Sequence, residues 1–286
     1  MKPDKLIINA ALTGMVPMKS DNPHLPITAA EIIADAKRCR EAGASVVHVH
    51  ARDADGQPTY RKEICAEIFA GIRATCPDLL ISATTSGRTH REFSQRSQVL
   101  ELDGGLKPDL ASLTLGSMNF PTQASVNEPK MIHAFATKMR QRGIVPELEL
   151  FEVGMADYAR HLISRGVLSP PFYANLLLGS LGTLAATPEN LASLIRALPP
   201  GTTWSGAGIG RFQLFVNRLT IKEGGHVRVG LEDNLWFDAG RTEPATNAKL
   251  IERLVHEAAH VGREIASPDD ARAIIGFQPR TDRAGN

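Results

Sequence analysis

The chain has 286 residues, 43% of them hydrophobic, which is enough for a large core in one or two domains. Its 32 Lys and Arg balance 31 Asp and Glu, no basic run stands out and aromatics make up only 5%, so neither a phosphate-tracking surface nor a base-stacking platform is present and nucleic acid is excluded as a partner. Three cysteines, Cys39, Cys65 and Cys76, form no CxxC pair, which argues against a disulfide framework or a thiolate zinc site and for a cytoplasmic location.

In chain order, short β-rich apolar runs alternate with longer runs of helical period, the rhythm of a parallel sheet. The first run, "KLIINAAL", is interrupted by Asn9 and is too short for a signal core or a membrane span, so no membrane partner is expected. Thr28 with Glu31 then matches a capping box, and Gly43 sits where the first helix should end. "SVVHVH", "LLISAT" and "DLASLTL" read as the second to fourth strands, with Gly143 closing the fourth helix. "VPELELF" and "FYANLLL" follow, with Gly166 after the fifth helix, and Thr187-Pro188 opens the sixth. "TTWSGAG" and "GHVRVGL" complete eight strands, and Ser267-Pro268 repeats the helix-start signal near the end. No linker or composition shift divides residues 1–286. The expectation is one (β/α)₈ TIM barrel of class α/β with a short C-terminal helical extension, the alternative being an open doubly wound sheet.

That architecture gives meaning to His48 and His50. Residues two apart on a strand share a face, so both imidazoles project together near the C-terminal end of the second strand, where barrels build their sites. Two neutral imidazoles can hold a divalent metal, but a catalytic site usually needs a third protein ligand and an open position. In "GGHVRVGLEDN", Arg228, Gly230 and Glu232 share one face by the same alternation, which puts Glu232 at the end of the eighth strand as that third ligand. Asp233, one residue on, is placed to act as a base, with Arg228 supplying positive charge. On strand geometry alone, Glu147 and Glu149 share one face of the fifth strand, and which of them meets the metal stays open. A surface ion pair of Arg228 with either acid is the alternative for the eighth-strand cluster.

Taken together, "GASVVHVHARDADGQP", "KPDLASLTLGSMNF", "VPELELFEVGM", "WSGAGIGR" and "GGHVRVGLEDN" resemble the β-keto acid cleavage enzymes, over nearly the whole chain from about Leu6. The resemblance implies a (β/α)₈ barrel, a tetrameric assembly (homotetramer), a zinc ion, and condensation of a β-keto acid with acetyl-CoA to give acetoacetate and a new acyl-CoA. It carries the metal ligands onto His48, His50 and Glu232, the base and activating arginine onto Asp233 and Arg228, and a further acidic site position onto Glu149. It carries substrate-binding positions onto Thr84, Gly87 and Ser112, both hydroxyls surviving as conservative exchanges. One position departs from the pattern: Val16 stands where the members with amino substrates have a glutamate that holds the ammonium. A cationic tail is therefore expected to bind poorly and a neutral one well, while Lys19 and His24 in the same loop leave an anionic tail open. Whether Val16 itself or Met15 or Met18 lines the pocket stays open at this stage.

"GAGIGR", residues 206–211, follows the seventh strand, where barrels often bind phosphate through backbone N–H groups. Gly208, Gly210 and Arg211 are thus candidates for holding part of CoA, with a plain tight turn as the equal alternative. A metal-dependent hydrolase of the amidohydrolase type is the rival function; it also uses HxH at a strand end but wants histidines after the fifth and sixth strands, where "ELELFE" and "YANLLLG" offer none.

Overall fold

A computed structural model describes residues 5–277. The chain forms strands β1 (Ile8–Ala11), β2 (Val46–Val49), β3 (Leu80–Ala83) and β4 (Leu110–Thr114), separated by helices α1 (Ala29–Ala42), α2 (Lys62–Thr75) and α3 (Phe93–Arg96). A two-residue hairpin, β5 (Met118–Asn119) and β6 (Ala124–Ser125), then precedes α4 (Pro129–Arg142) and β7 (Val145–Leu150). Helix and strand then alternate through α5 (Val153–Ser164), β8 (Phe172–Leu178), α6 (Pro188–Ala197), β9 (Thr202–Gly208), α7 (Gln213–Lys222), β10 (His226–Val229) and α8 (Asn247–His260), and a further helix, α9 (Pro268–Ile275), follows.

Eight of these strands close on themselves in the order β1-β10-β9-β8-β7-β4-β3-β2, every pair parallel. The expected (β/α)₈ barrel is what forms, and the open sheet is set aside. The helix signals act as read: Thr28 and Glu31 make a reciprocal capping box, Thr187 accepts from the Asn190 N–H, and Ser267 forms a second box with Asp270. Gly43 and Gly143 end α1 and α4 in the left-handed region, whereas α5 is capped by Arg165, with left-handed Gly166 one residue later.

Strand alternation sorts the barrel interior into layers. At the N-terminal end Ile7, Val46, Leu80, Leu110 and Tyr173 are buried together and sealed by Ala271 and Ile275 of α9. The next residues inward, Asn9, His48, Ser82, Glu147, Asn175, Ser205 and Arg228, form a buried polar layer. Above it, at the C-terminal mouth, come His50, Thr84, Thr114 and Glu149. The outward positions, such as Ile8, Val47, Ile81, Leu148 and Leu176, pack against the helices in the main core. No helix of the described residues is long and apolar enough to cross a membrane.

Candidate active site

The polar layer is organised around Glu147, whose four acceptor positions are all used. Its Oε1 accepts from Asn9 and Asn175 amides at 2.6 and 2.7 Å, and its Oε2 accepts from His48 Nδ1 at 2.8 Å and Ser82 Oγ at 2.5 Å. Burial would raise its pKa, but the charges of His48 and Arg228 and the Ser82 hydrogen bond bring it down to about 2, so it is an anion. An anionic acceptor fixes His48 Nδ1 as a donor, so Nε2 points up the barrel and carries the lone pair when the ring is neutral.

Three donor atoms converge there. His48 Nε2 lies 3.2 Å from His50 Nε2, His50 Nε2 lies 3.2 Å from Glu232 Oε1, and His48 Nε2 lies 3.8 Å from Glu232 Oε2. Tetrahedral ligands at 2.0–2.1 Å from a zinc ion stand about 3.3 Å apart, so the spacing fits one small divalent cation. Glu232 Oε2 is buried with no hydrogen-bond partner among the described residues, a free acceptor that a cation would satisfy. His48, Glu147 and Glu149 also lie close enough to be ligands, but Glu147 is already saturated by four donors, which favours the set with Glu232. Burial works to raise the Glu232 pKa, and the charges of His50, Arg228 and His48 outweigh it to hold the carboxyl well below the usual range.

Glu232 reaches this place by a different route from the one expected. The β10 strand ends at Val229, two residues short of "GHVRVGL", and the next position, Gly230, admits only glycine, since a Cβ there would stand 2.1 Å from the Ala11 carbonyl oxygen. The chain bends at this glycine, and the Asp233 and Asn234 N–H groups donate back to the Gly230 carbonyl. A continued strand would turn Glu232 and Asp233 to opposite faces; the turn brings both over the mouth. Asn217 Nδ2 and Gln213 Nε2 of α7 hold the bend by donating to the carbonyls of Arg228 and Gly230.

Arg228, 1% exposed, is the hub of the acids: it donates to Asp233 through Nε at 3.0 Å, and its Nη2 and Nη1 reach Glu232 at 2.8 Å and Glu149 at 3.4 Å. Burial alone would weaken its protonation, but Asp233, Glu232 and Glu149 raise its pKa well above the ordinary arginine value. Burial lifts the Asp233 carboxyl above its usual range, helped by neighbouring Glu232 and opposed by Arg228. Glu149, also raised by burial, accepts from Thr114 Oγ1 at 2.6 Å.

These groups form the floor of a cavity of about 460 Å³ at the C-terminal end of the barrel. Thr84 lines it, as do Val16 and Met15, while Met18 instead packs on Arg52 and Gly56. Ser112 and Gly87 are beside the cavity rather than on its wall. Ser112 Oγ accepts from the Thr85 N–H at 2.9 Å inside the barrel wall, and a Cβ on Gly87 would sit 2.6 Å from both Arg96 Nη1 and the Val126 carbonyl. Gly208 is likewise enclosed, 2.3 Å from the Phe212 carbonyl at its would-be Cβ, whereas Gly210 and Arg211 line the cavity. Lys19 is paired with Glu31 at 2.7 Å, and neither it nor His24 lines the cavity. Arg52 pins the loop carrying Val16 by donating to the carbonyls of Gly14 and Pro17, and ties it to the segment between β2 and α2 by donating to the Gly56 carbonyl.

The sequence did not single out Thr114, Arg88 or Phe120, which also line the cavity. Thr114 was within reach of strand alternation, two residues beyond Ser112. Arg88 and Phe120 stand on irregular loops, where no period exists to assign a side chain's direction.

A parallel barrel whose mouth gathers two histidines, a carboxylate with a free oxygen and an arginine-held aspartate presents a donor set that could hold a divalent cation beside a group that could move a proton. The sequence matches the family described as beta-keto acid cleavage enzyme over residues 5–277. It is 38% identical over 276 residues to the 3-keto-5-aminohexanoate cleavage enzyme of Fusobacterium nucleatum, covering 96% of this chain and 99% of that one. It is 36% identical over 274 residues to the 3-oxoadipate:acetyl-CoA acetyltransferase of Cupriavidus necator, covering 95% and 94%. Among solved structures, ObcA in ternary complex with a C4-CoA adduct and oxalate superposes with a TM-score of 0.79 at 21% identity, covering 89% of this chain and 68% of that longer one, a likeness of fold. The chain belongs to the β-keto acid cleavage enzyme family. The hydrolase alternative falls with that finding, and the ends of β7 and β8 carry Glu149 and Leu177 where it needs histidines.

Proposed function

We propose that the enzyme condenses a β-keto acid with acetyl-CoA to give acetoacetate and a new acyl-CoA, with zinc held by His48, His50 and Glu232. The observation that supports this most is the convergence of those donors beside Asp233, all tied through Arg228 on one cavity floor. The names of the relatives support acetyl-CoA as the co-substrate. A bound dication would draw charge from the keto and carboxylate oxygens of the substrate and so acidify its C2.

Asp233 then takes the C2 proton, and its raised pKa suits that task. The C2 carbanion attacks the thioester carbonyl of acetyl-CoA; CoA thiolate leaves the adduct and adds to the original keto carbonyl. The C2–C3 bond breaks, the new acyl-CoA departs, and Asp233 returns the proton to C2 of acetoacetate, so no redox cofactor is consumed. Arg228 keeps Asp233 oriented and offsets the charge that the acids place on the floor. Thr84 and Glu149 with Thr114 are positioned to orient the substrate, while Ser112 and Gly87 act by shaping the wall that carries Thr84. Gly210 and Arg211 at the rim suit CoA. A homotetramer in the cytoplasm is the assembly and location we assign, on the family resemblance and on three buried free thiols.

The test is metal analysis with an acetyl-CoA-dependent assay across β-keto acids. About one zinc per chain is expected. His48→Ala should lose metal and turnover together, and Asp233→Asn should keep the metal but lower kcat at least about 100-fold. Full activity in a metal-free preparation, or metal loss in Asp233→Asn, would overturn the assignment.

A further inference from the structure

Each acid on the cavity floor already has its cation, since Glu149, Glu232 and Asp233 all meet Arg228 within 3.4 Å. Arg88 is a second arginine in the same cavity and has no such partner: no carboxylate lies within 4.0 Å of it among the described residues, and its Nε is buried without a hydrogen bond. Its guanidinium carbon lies 3.7 Å from the centroid of the Phe120 ring, which is itself braced edge-on by Phe151 at 5.6 Å. A guanidinium stacked on a ring keeps its planar edge of N–H donors free, the geometry that grips a carboxylate with two parallel bonds.

The rest of the cavity agrees. Val16 and Met15 supply only apolar surface on the loop side. The other two unpaired cations of the lining, Arg211 and Arg241, are exposed at the rim, whereas Arg88 sits closer in and feels the charges of Glu232, Glu149 and Asp233. Burial lowers its pKa against the pull of those acids, the signature of a cation that has given up water without gaining an anion. A half-buried guanidinium left in this state destabilises the folded protein unless a ligand completes it.

We propose that Arg88, held flat on Phe120, is the subsite for a second carboxylate at the far end of the substrate, so that the enzyme's keto acids are β-keto diacids. This rests on the reaction given above, with the reacting β-keto carboxylate at the His48, His50 and Glu232 end. The same anionic chemistry could come from a CoA phosphate, and the two sources separate kinetically.

The experiment measures kcat/KM for a β-keto diacid and its matched uncharged β-keto acid, together with KM for acetyl-CoA, in the parent enzyme, Arg88→Gln and Arg88→Lys. The parent should prefer the diacid by about 100-fold or more. Arg88→Gln should abolish that preference through the diacid alone, with the uncharged substrate and acetyl-CoA within about 3-fold of the parent, and Arg88→Lys should recover part of it. A raised KM for acetyl-CoA with the substrate ranking intact would give Arg88 to the CoA phosphates and overturn the proposal. Equal losses on both keto acids would make Arg88 a structural prop and overturn it equally. Turnover of neither keto acid by the parent enzyme would instead overturn the reaction itself, and this subsite with it.

Discussion

Glu147 shows what one residue can settle. Its two oxygens take four donors, none from solvent, so a change that adds a donor there has nowhere to put it. Glu147→Gln would turn an N–H₂ group toward two donors and release His48 Nδ1 from its fixed role as a donor. We expect metal affinity to fall about 10–100-fold and stability to drop by about 3–5 kcal/mol, read by metal titration and thermal melting; unchanged metal affinity would mean that His48 is oriented by something else. Strand parity made Glu147 and Glu149 equivalent in the sequence, and only the third dimension separates them. Glu147 faces Asn9, Ser82 and Asn175 across the barrel axis, while Glu149 opens toward Arg228 and Thr114. The convergence of His48 and His50 was legible because HxH on a strand has a fixed consequence for side-chain direction, whereas Glu232 arrives by a turn and Arg88 stands on a loop that offers no such rule.

All eight barrel strands were legible as β-rich apolar runs, and β8 and β9 begin and end as read, but the ends of others were not. The β10 strand stops at a turn closed by the Asp233 and Asn234 N–H groups on the Gly230 carbonyl, and the need for glycine there comes from close approach to Ala11, 219 positions away in sequence. The β5–β6 hairpin was missed because "SMNFPTQAS" alternates weakly and contains a proline. The opposite end of β10 carries a different kind of information. His226 Nδ1 accepts from the Ile7 N–H at 3.0 Å, beside the Arg263 guanidinium at 3.3 Å. Burial first, and the Arg263 charge second, lower its pKa from 6.5 to about 3. The unfolded chain therefore binds a proton below pH 6.5 that the folded chain refuses until about pH 3. Stability from this site is fully present above pH 6.5 and is lost as the pH falls across that window, by about 1.4 kcal/mol per pH unit. In His226→Asn, which keeps an acceptor but cannot titrate, that component should be absent, so denaturant unfolding at pH 7 and pH 5 should show a smaller loss of stability on acidification than in the parent.

At the scale of the molecule, the barrel separates its stabilising end from its reacting end. The apolar layer around Ile7, Leu80, Leu110 and Tyr173 is closed by Ile275 of α9, far from the mouth. Ile275→Ala should therefore cost about 2–5 kcal/mol while leaving kcat/KM within about 2-fold of the parent at temperatures below the melt; a matching fall in activity would show that the two ends are coupled. At the mouth, the reacting groups come from strand ends and the β10 turn, while Val16 rides on a loop whose backbone is gripped at Gly14 and Pro17 by a single buried arginine, Arg52, which also holds the Gly56 carbonyl of the segment between β2 and α2. Those three bonds go to carbonyls, so they are indifferent to which side chains the loop displays. Met15 and Val16 consequently behave as an interchangeable cassette: a randomised library at these two positions could be screened for new substrate tails without disturbing the backbone beneath it, which makes this loop the natural first target for redirecting the enzyme.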